Sequence, residues 1–286
     1  MAAYELALSN FAVAEQLLQL YELFRGLREL EPAADLRLAV CRRLGLAENA
    51  AVRHAENEHL VICARAAAPI PSGLMIEGGI DFLLRQAVVV ACTALESFFW
   101  DSLRENVLTV VKARRRGADQ NLRDITLTLD DFLSIEAYAD PDERLRQIIL
   151  NNFERGVLYD SETMEKIADI LTVRDFWADV GGRCGRLPRE LRRDLDELIA
   201  RRNQIAHRAD RPDLEARPPE EIDVHGLRVV NSAWVRPRIS TATSIVDAAN
   251  QCFAVTIRRL EEQIALEQEQ ALAQQTLSSP QGEPRE

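Results

Sequence analysis

Apolar positions in this chain recur at three- and four-residue steps far more often than at two. The pattern therefore predicts helices nearly throughout. Between Tyr4 and Leu30, Phe11, Ala14, Leu17, Tyr21, Phe24 and Leu27 define one face of a first helix, with Leu18 and Leu20 beside them. Pro32 opens a second helix, with Leu36, Val40 and Leu44 on its face and Gly45 as its stop. A weaker helical pattern runs from Ala50 to Arg65, and Pro69-Ile70-Pro71-Ser72-Gly73 then breaks the chain. Ile80 to Val111 is the longest run, and its middle, from Val88 to Leu103, is apolar on several faces. Such a helix is expected to be buried on several sides, inside a bundle or at a subunit interface.

Further helices are predicted after the capping sequence Thr128-Leu129-Asp130-Asp131, over Pro141 to Phe153, Ser161 to Leu171, Arg174 to Val180, Pro188 to His207, and Thr243 to Gln270. Gly181, Gly182 and Gly185 read as a turn. Val224 to Val235 carries the only plausible β content, a hairpin turning at Asn231-Ser232. Arg114-Arg115-Arg116 reads as a solvated helix end, where cations face the negative end of the helix dipole. The expectation is an all-α bundle. Residues 1–72 form an N-terminal helical extension, 78–270 the main domain, and 271–286 a polar, disordered tail.

Composition narrows the function. The 286 residues can bury a substantial core. No basic start followed by an apolar core suggests a secretion signal, and no run reaches the roughly 18–20 consecutive apolar residues of a membrane span. The five cysteines are scattered, with no Cys-x-x-Cys, and read as small buried hydrophobes in a reducing cytoplasm. The net charge of −11 argues against a broad nucleic-acid-coating face. Locally the balance reverses: from Arg183 to Arg211, nine arginines stand against five carboxylates. No metal or cofactor is expected. His54 and His59 are five apart rather than three or four, His225 is isolated, and Gly78-Gly79 and Gly181-Gly182 lack a strand-loop-helix setting for phosphate.

The helix from Pro188 holds the candidate chemistry. With Leu191 at 0° and about 100° per residue, Leu195, Leu198, Arg202 and Ile205 fall at about 40°, −20°, 20° and −40°. Arg202 thus sits on the apolar stripe and must snorkel, pair with an acid, or line a cleft or interface. Arg201 lies on the flank. His207 is five residues beyond Arg202, about 140° round the helix. The two converge only if the helix ends near Ile205 or if a symmetric interface assembles the site. Asn203 and His207, four apart, can touch. On this geometry two readings stay open: cations complementing a helix C-terminus, or a catalytic group.

The segment Arg201-Arg202-Asn203-Gln204-Ile205-Ala206-His207, preceded by Leu-Asp-Glu-Leu-Ile-Ala, resembles the Arg-(four to six residues)-His signature of HEPN domains, in its RiboL-PSP-HEPN branch. The same branch has an earlier helix similar to Ala87-Val88-Val89-Val90, Ala94-Leu95-Glu96-Ser97-Phe98 and Asp101-Ser102-Leu103. It also has a stretch like Lys166-Ile167-Ala168-Asp169 leading to Phe176-Trp177. The likeness covers roughly residues 78 to 266. One departure is Arg208, where close relatives would have Glu or Gly.

The resemblance implies a metal-independent endoribonuclease that dimerises with its two motifs at the two-fold axis. It would act in a toxin–antitoxin or antiphage-defence setting, with an antitoxin or defence-complex partner. His207 would be general base or acid, Arg202 would fork onto phosphate oxygens, and Asn203 would orient either. Arg201 also satisfies the spacing, but the stripe and the following Asn favour Arg202. Glu96 would hold Arg202 or Arg201 in an ion pair, and Arg208 would support the site. The alternative implied by the same resemblance is a non-catalytic module that binds RNA or nucleotides, or serves as a dimerising scaffold.

Overall fold

The structure is a computed structural model that describes residues 2–26, 34–54, 61–64, 69–113, 127–153, 160–213, 215–217 and 219–278. Among them run nine α-helices: α1 (Ala2–Phe24), α2 (Ala34–Leu44), α3 (Phe82–Ala113), α4 (Leu129–Ala137), α5 (Pro141–Phe153), α6 (Ser161–Ile170), α7 (Phe176–Cys184), α8 (Pro188–Arg208) and α9 (Ser232–Ser278). One antiparallel pair, β1 (Ala51–His54) and β2 (Val61–Ala64), is the only sheet among these residues. The class is all-α, with one small hairpin.

Tertiary contacts cluster into two compact units that interleave along the chain. One comprises Met1–Ala7, Leu95–Asp196 and Ser244–Glu286, the other Leu8–Ala94 and Glu197–Thr243. The first is built on aromatic packing. Phe98 and Phe99 of α3, Phe176 of α7 and Phe253 of α9 meet with ring centroids 5.3–6.2 Å apart, in stacked and edge-on pairs. Such pairs add about 0.5–1.5 kcal/mol each beyond their burial. Asp196 of α8 accepts hydrogen bonds from the Ser161 backbone N–H and hydroxyl, which anchors the start of α6.

The second unit contains the candidate chemistry. Leu84, Ala87, Val88 and Ala91 of α3 are fully buried, as are Leu198 of α8 and Val235 and Ala242 of α9. Two satellite cores flank them. Met75 and Ile80 pack with Tyr21, Phe24 and Ile62, and Val52, Ala50 and Cys41 pack with Val40, Leu46 and Cys63.

Several expectations need correction. The paired strands lie at 51–54 and 61–64, where a helix was expected. Val52 points inward while Arg53 does not, a period of two that the short segment disguised. Asn231-Ser232 is no hairpin turn. Asn231 accepts the Trp234 N–H through Oδ1 at 2.8 Å and caps α9, which therefore starts eleven residues earlier than the periodicity suggested. Only an isolated bridge, Ile222 to Arg228, remains of the β expectation there. Gly181 and Gly182 lie inside α7, and Gly185, at φ +63°, ends it. The helix α9 reaches Ser278, into the segment expected to be a disordered tail, and residues 279–286 lie outside the described residues, as do Arg114-Arg115-Arg116 and His59.

One helix, α3, is long and apolar enough by length and composition to cross a membrane, with a window of mean hydropathy 1.5. A count of consecutive apolar residues misses this, because the window average absorbs Thr93, Glu96 and Ser97. Just over half of that window, 56%, is buried inside the protein, so its apolar surface serves mainly as core.

Candidate active site

The helix α8 does not end near Ile205. It continues unbroken through His207 to Arg208. Its apolar stripe is spent early: Leu191, Leu195, Leu198 and Ile199 are buried, whereas Arg202 and Ile205 are only half-buried. The stripe thus opens toward solvent where the candidate motif begins.

The two neighbouring arginines diverge. Arg201 turns inward, with its side chain 14% exposed. Its Nη2 donates to Asp210 Oδ2 at 2.9 Å and to the backbone carbonyls of Arg228 and Val229. Burial lowers its pKa, with Asp210 opposing. Asp210 is its ion-pair partner, because the chain reverses after Arg208 and brings that carboxylate back beside the helix. Glu96 lies half-buried on α3.

Arg202 Nη1 donates to Asn203 Oδ1 at 2.9 Å. The guanidinium also lies against the buried Cys92 thiol of α3. Burial pushes that thiol up to about 12, with the Arg202 charge and hydrogen bond opposing. Arg202 thus spans from the Cys92 thiol to the Asn203 amide. Asn203 and His207 lie one helical turn apart. His207 and Arg208 are exposed. Arg208 and Arg211 are exposed and form no ion pair among the described residues.

Sequence reasoning missed the residues that hold this end of α8. Ala209 and Asp210 both adopt the left-handed region, at φ +51° and +57°. The Asp210 N–H reaches the Gln204 carbonyl at 3.1 Å, and its carbonyl accepts from the Arg228 N–H at 2.9 Å. Its carboxylate, fully buried, accepts from Arg85 Nε at 2.7 Å as well as from Arg201. Arg85 Nη2 in turn donates to Asp223 Oδ2 at 2.7 Å and to the Arg228 carbonyl. Although burial pushes Asp223 upward, the Leu227 and His225 N–H groups and Arg85 hold its carboxyl below the usual range. A signal existed. Arg85, Val88, Cys92 and Glu96 lie at i, i+3, i+7 and i+11, so Arg85 sits on an apolar stripe and must find an acid.

Fold and motif together define an all-α HEPN protein. The RiboL-PSP-HEPN profile matches residues 66–226, more than half of the chain, and the chain belongs to that family. The matched span contains α3, α8, Arg201, Arg202, Asn203 and His207. No curated protein and no solved structure matches the chain. A HEPN domain suggests a nuclease or an RNA-binding module.

Proposed function

We propose that the protein is a metal-independent endoribonuclease, homodimeric and cytoplasmic, acting on RNA in a toxin–antitoxin or antiphage-defence setting. The observation that carries this reading is the division of labour on α8. Arg201 is held by Asp210 and two backbone carbonyls, while Arg202 reaches Asn203, and His207 and Arg208 at the same end of the helix are exposed.

The chemistry follows from the side chains. The His207 imidazole can take the proton of the ribose 2′-hydroxyl. The 2′-oxygen attacks phosphorus, the bond to the 5′-oxygen breaks, and that oxygen takes a proton. The ends are a 2′,3′-cyclic phosphate and a 5′-hydroxyl. Arg202 offers a planar fork to the phosphate oxygens as charge builds on them, and Asn203 orients it. On an unbroken helix one copy presents Arg202 and His207 at different angles. Two copies meeting across a two-fold axis can set the Arg202 of one beside the His207 of the other, whose imidazole can hand the proton it removed to the leaving 5′-oxygen.

The test is cleavage of total cellular RNA in EDTA by the wild type and by His207→Ala. Cleavage to cyclic-phosphate ends by the wild type alone supports the proposal. Equal inactivity of both as intact dimers sinks it, and favours a HEPN module that binds RNA or acts as a scaffold, as the net charge of −11 would suit.

A further inference from the structure

We propose that Asp210 is a positioning residue for His207, fixing the direction in which the last turn of α8 presents the imidazole. Its catalytic consequence rests on the nuclease reading; its geometry does not.

Three observations carry it. First, Asp210 closes the helix that bears His207. Its N–H reaches back to the Gln204 carbonyl, spanning the turn in which His207 lies. Second, the chain there is held in a conformation that L side chains rarely adopt. Two consecutive non-glycine residues, Ala209 and Asp210, sit at positive φ directly after the helix. Such a pair persists only where the surroundings over-determine it. Third, the surroundings do so through one carboxylate. Asp210 Oδ2 takes Arg85 Nε from α3 and Arg201 Nη2 from α8, and its backbone carbonyl takes the Arg228 N–H. Arg85 is buried, and its other nitrogen secures Asp223 and the Arg228 carbonyl. The segment that follows His207 is thereby pinned at both ends to a single guanidinium on α3. His207 itself is exposed and has no partner of its own among the described residues to aim it. Its direction is therefore set by the backbone beneath it, and that backbone is set by Asp210.

An imidazole that must meet a 2′-hydroxyl loses rate steeply when misplaced, while RNA affinity depends on the separate guanidiniums. The prediction is a split between turnover and binding.

The experiment compares Asp210→Ala and Asp210→Asn with the wild-type chain. Asn keeps an acceptor oxygen for both arginines and tolerates the left-handed region better than Ala. In Asp210→Ala, kcat for RNA cleavage is expected to fall on the order of tenfold or more, with KM nearly unchanged. Asp210→Asn is expected to recover most of that loss. In parallel, amide hydrogen exchange is expected to speed up over residues 205–210 in Asp210→Ala while residues 191–199 keep their protection. A change in KM alone, equal damage from Asn and Ala, or unchanged exchange at 205–210 would each overturn the proposal. If Asp210→Ala does not fold, Asp210→Asn decides through exchange: a partial loss confined to 205–210 supports the proposal, and none overturns it. If the wild type itself fails to cleave RNA, the nuclease reading falls, and the exchange measurement alone still decides whether Asp210 holds the helix end.

Discussion

Arg201 and Arg202 are adjacent in the chain but take different partners: Arg201 lies 2.9 Å from Asp210 in a buried ion pair, whereas Arg202 hydrogen-bonds Asn203. Adjacent residues on a helix point about 100° apart, so one can serve the interior and the other a ligand.

Substituting the two should therefore separate stability from activity. Arg201→Ala leaves Asp210 with Arg85 alone and should cost about 1–3 kcal/mol of stability. Arg202→Ala should lower RNA cleavage on the order of a hundredfold with a smaller change in Tm. Thermal melts beside cleavage rates check this, and the opposite ranking would reverse the assignment of the two arginines.

A site assembled from two copies predicts complementation. Arg202→Ala and His207→Ala, each inactive alone, should regain activity when unfolded together and refolded as mixed dimers, because one composite site then holds both side chains. No recovery in a mixture shown to contain heterodimers would place both groups in a single copy.

Two acids near Arg85 should respond to pH with opposite signs. Burial raises the pKa of Asp81, with Arg85 opposing. Its contribution to stability is thus present below the unfolded value of about 3.9 and lost as pH rises through the higher folded value. Asp223 is depressed, so its contribution is present above about 3.9 and lost as pH falls through its lower folded value. Asp81→Asn should raise Tm at neutral pH, and Asp223→Asn should lower it there. Both effects should shrink in acid, which melts across a pH series would reveal.

The paired glycines of α7 should differ. A Cβ on Gly181 would stand 2.8 Å from the Arg186 carbonyl oxygen and 3.1 Å from the Pro188 ring, so Gly181→Ala should destabilise by about 1–3 kcal/mol. A Cβ on Gly182 meets nothing within 4 Å, and Gly182→Ala should stabilise by up to about 1 kcal/mol through helix propensity. Denaturant midpoints of the two variants provide the comparison.

Helix positions, the family motif and the position of Arg202 on the stripe of α8 were legible in the sequence, because a helix is a local object whose apolar period is written into the order of residues. The pairing of 51–54 with 61–64 was not. Four-residue strands carry too few positions to establish a period, and their pairing is decided by a partner strand elsewhere in the chain. The cap at Asn231 was hidden by similar brevity. The inward turn of Arg201 and the clamp on Asp210 were also beyond reach. Arg85 and Asp210 are 125 positions apart, and nothing in linear order says that one buried guanidinium will meet that carboxylate. The sequence alone determined which residue types stand together on α8; only the tertiary structure paired Arg201 with Asp210, because burying a charge requires a partner that folding must bring from elsewhere in the chain.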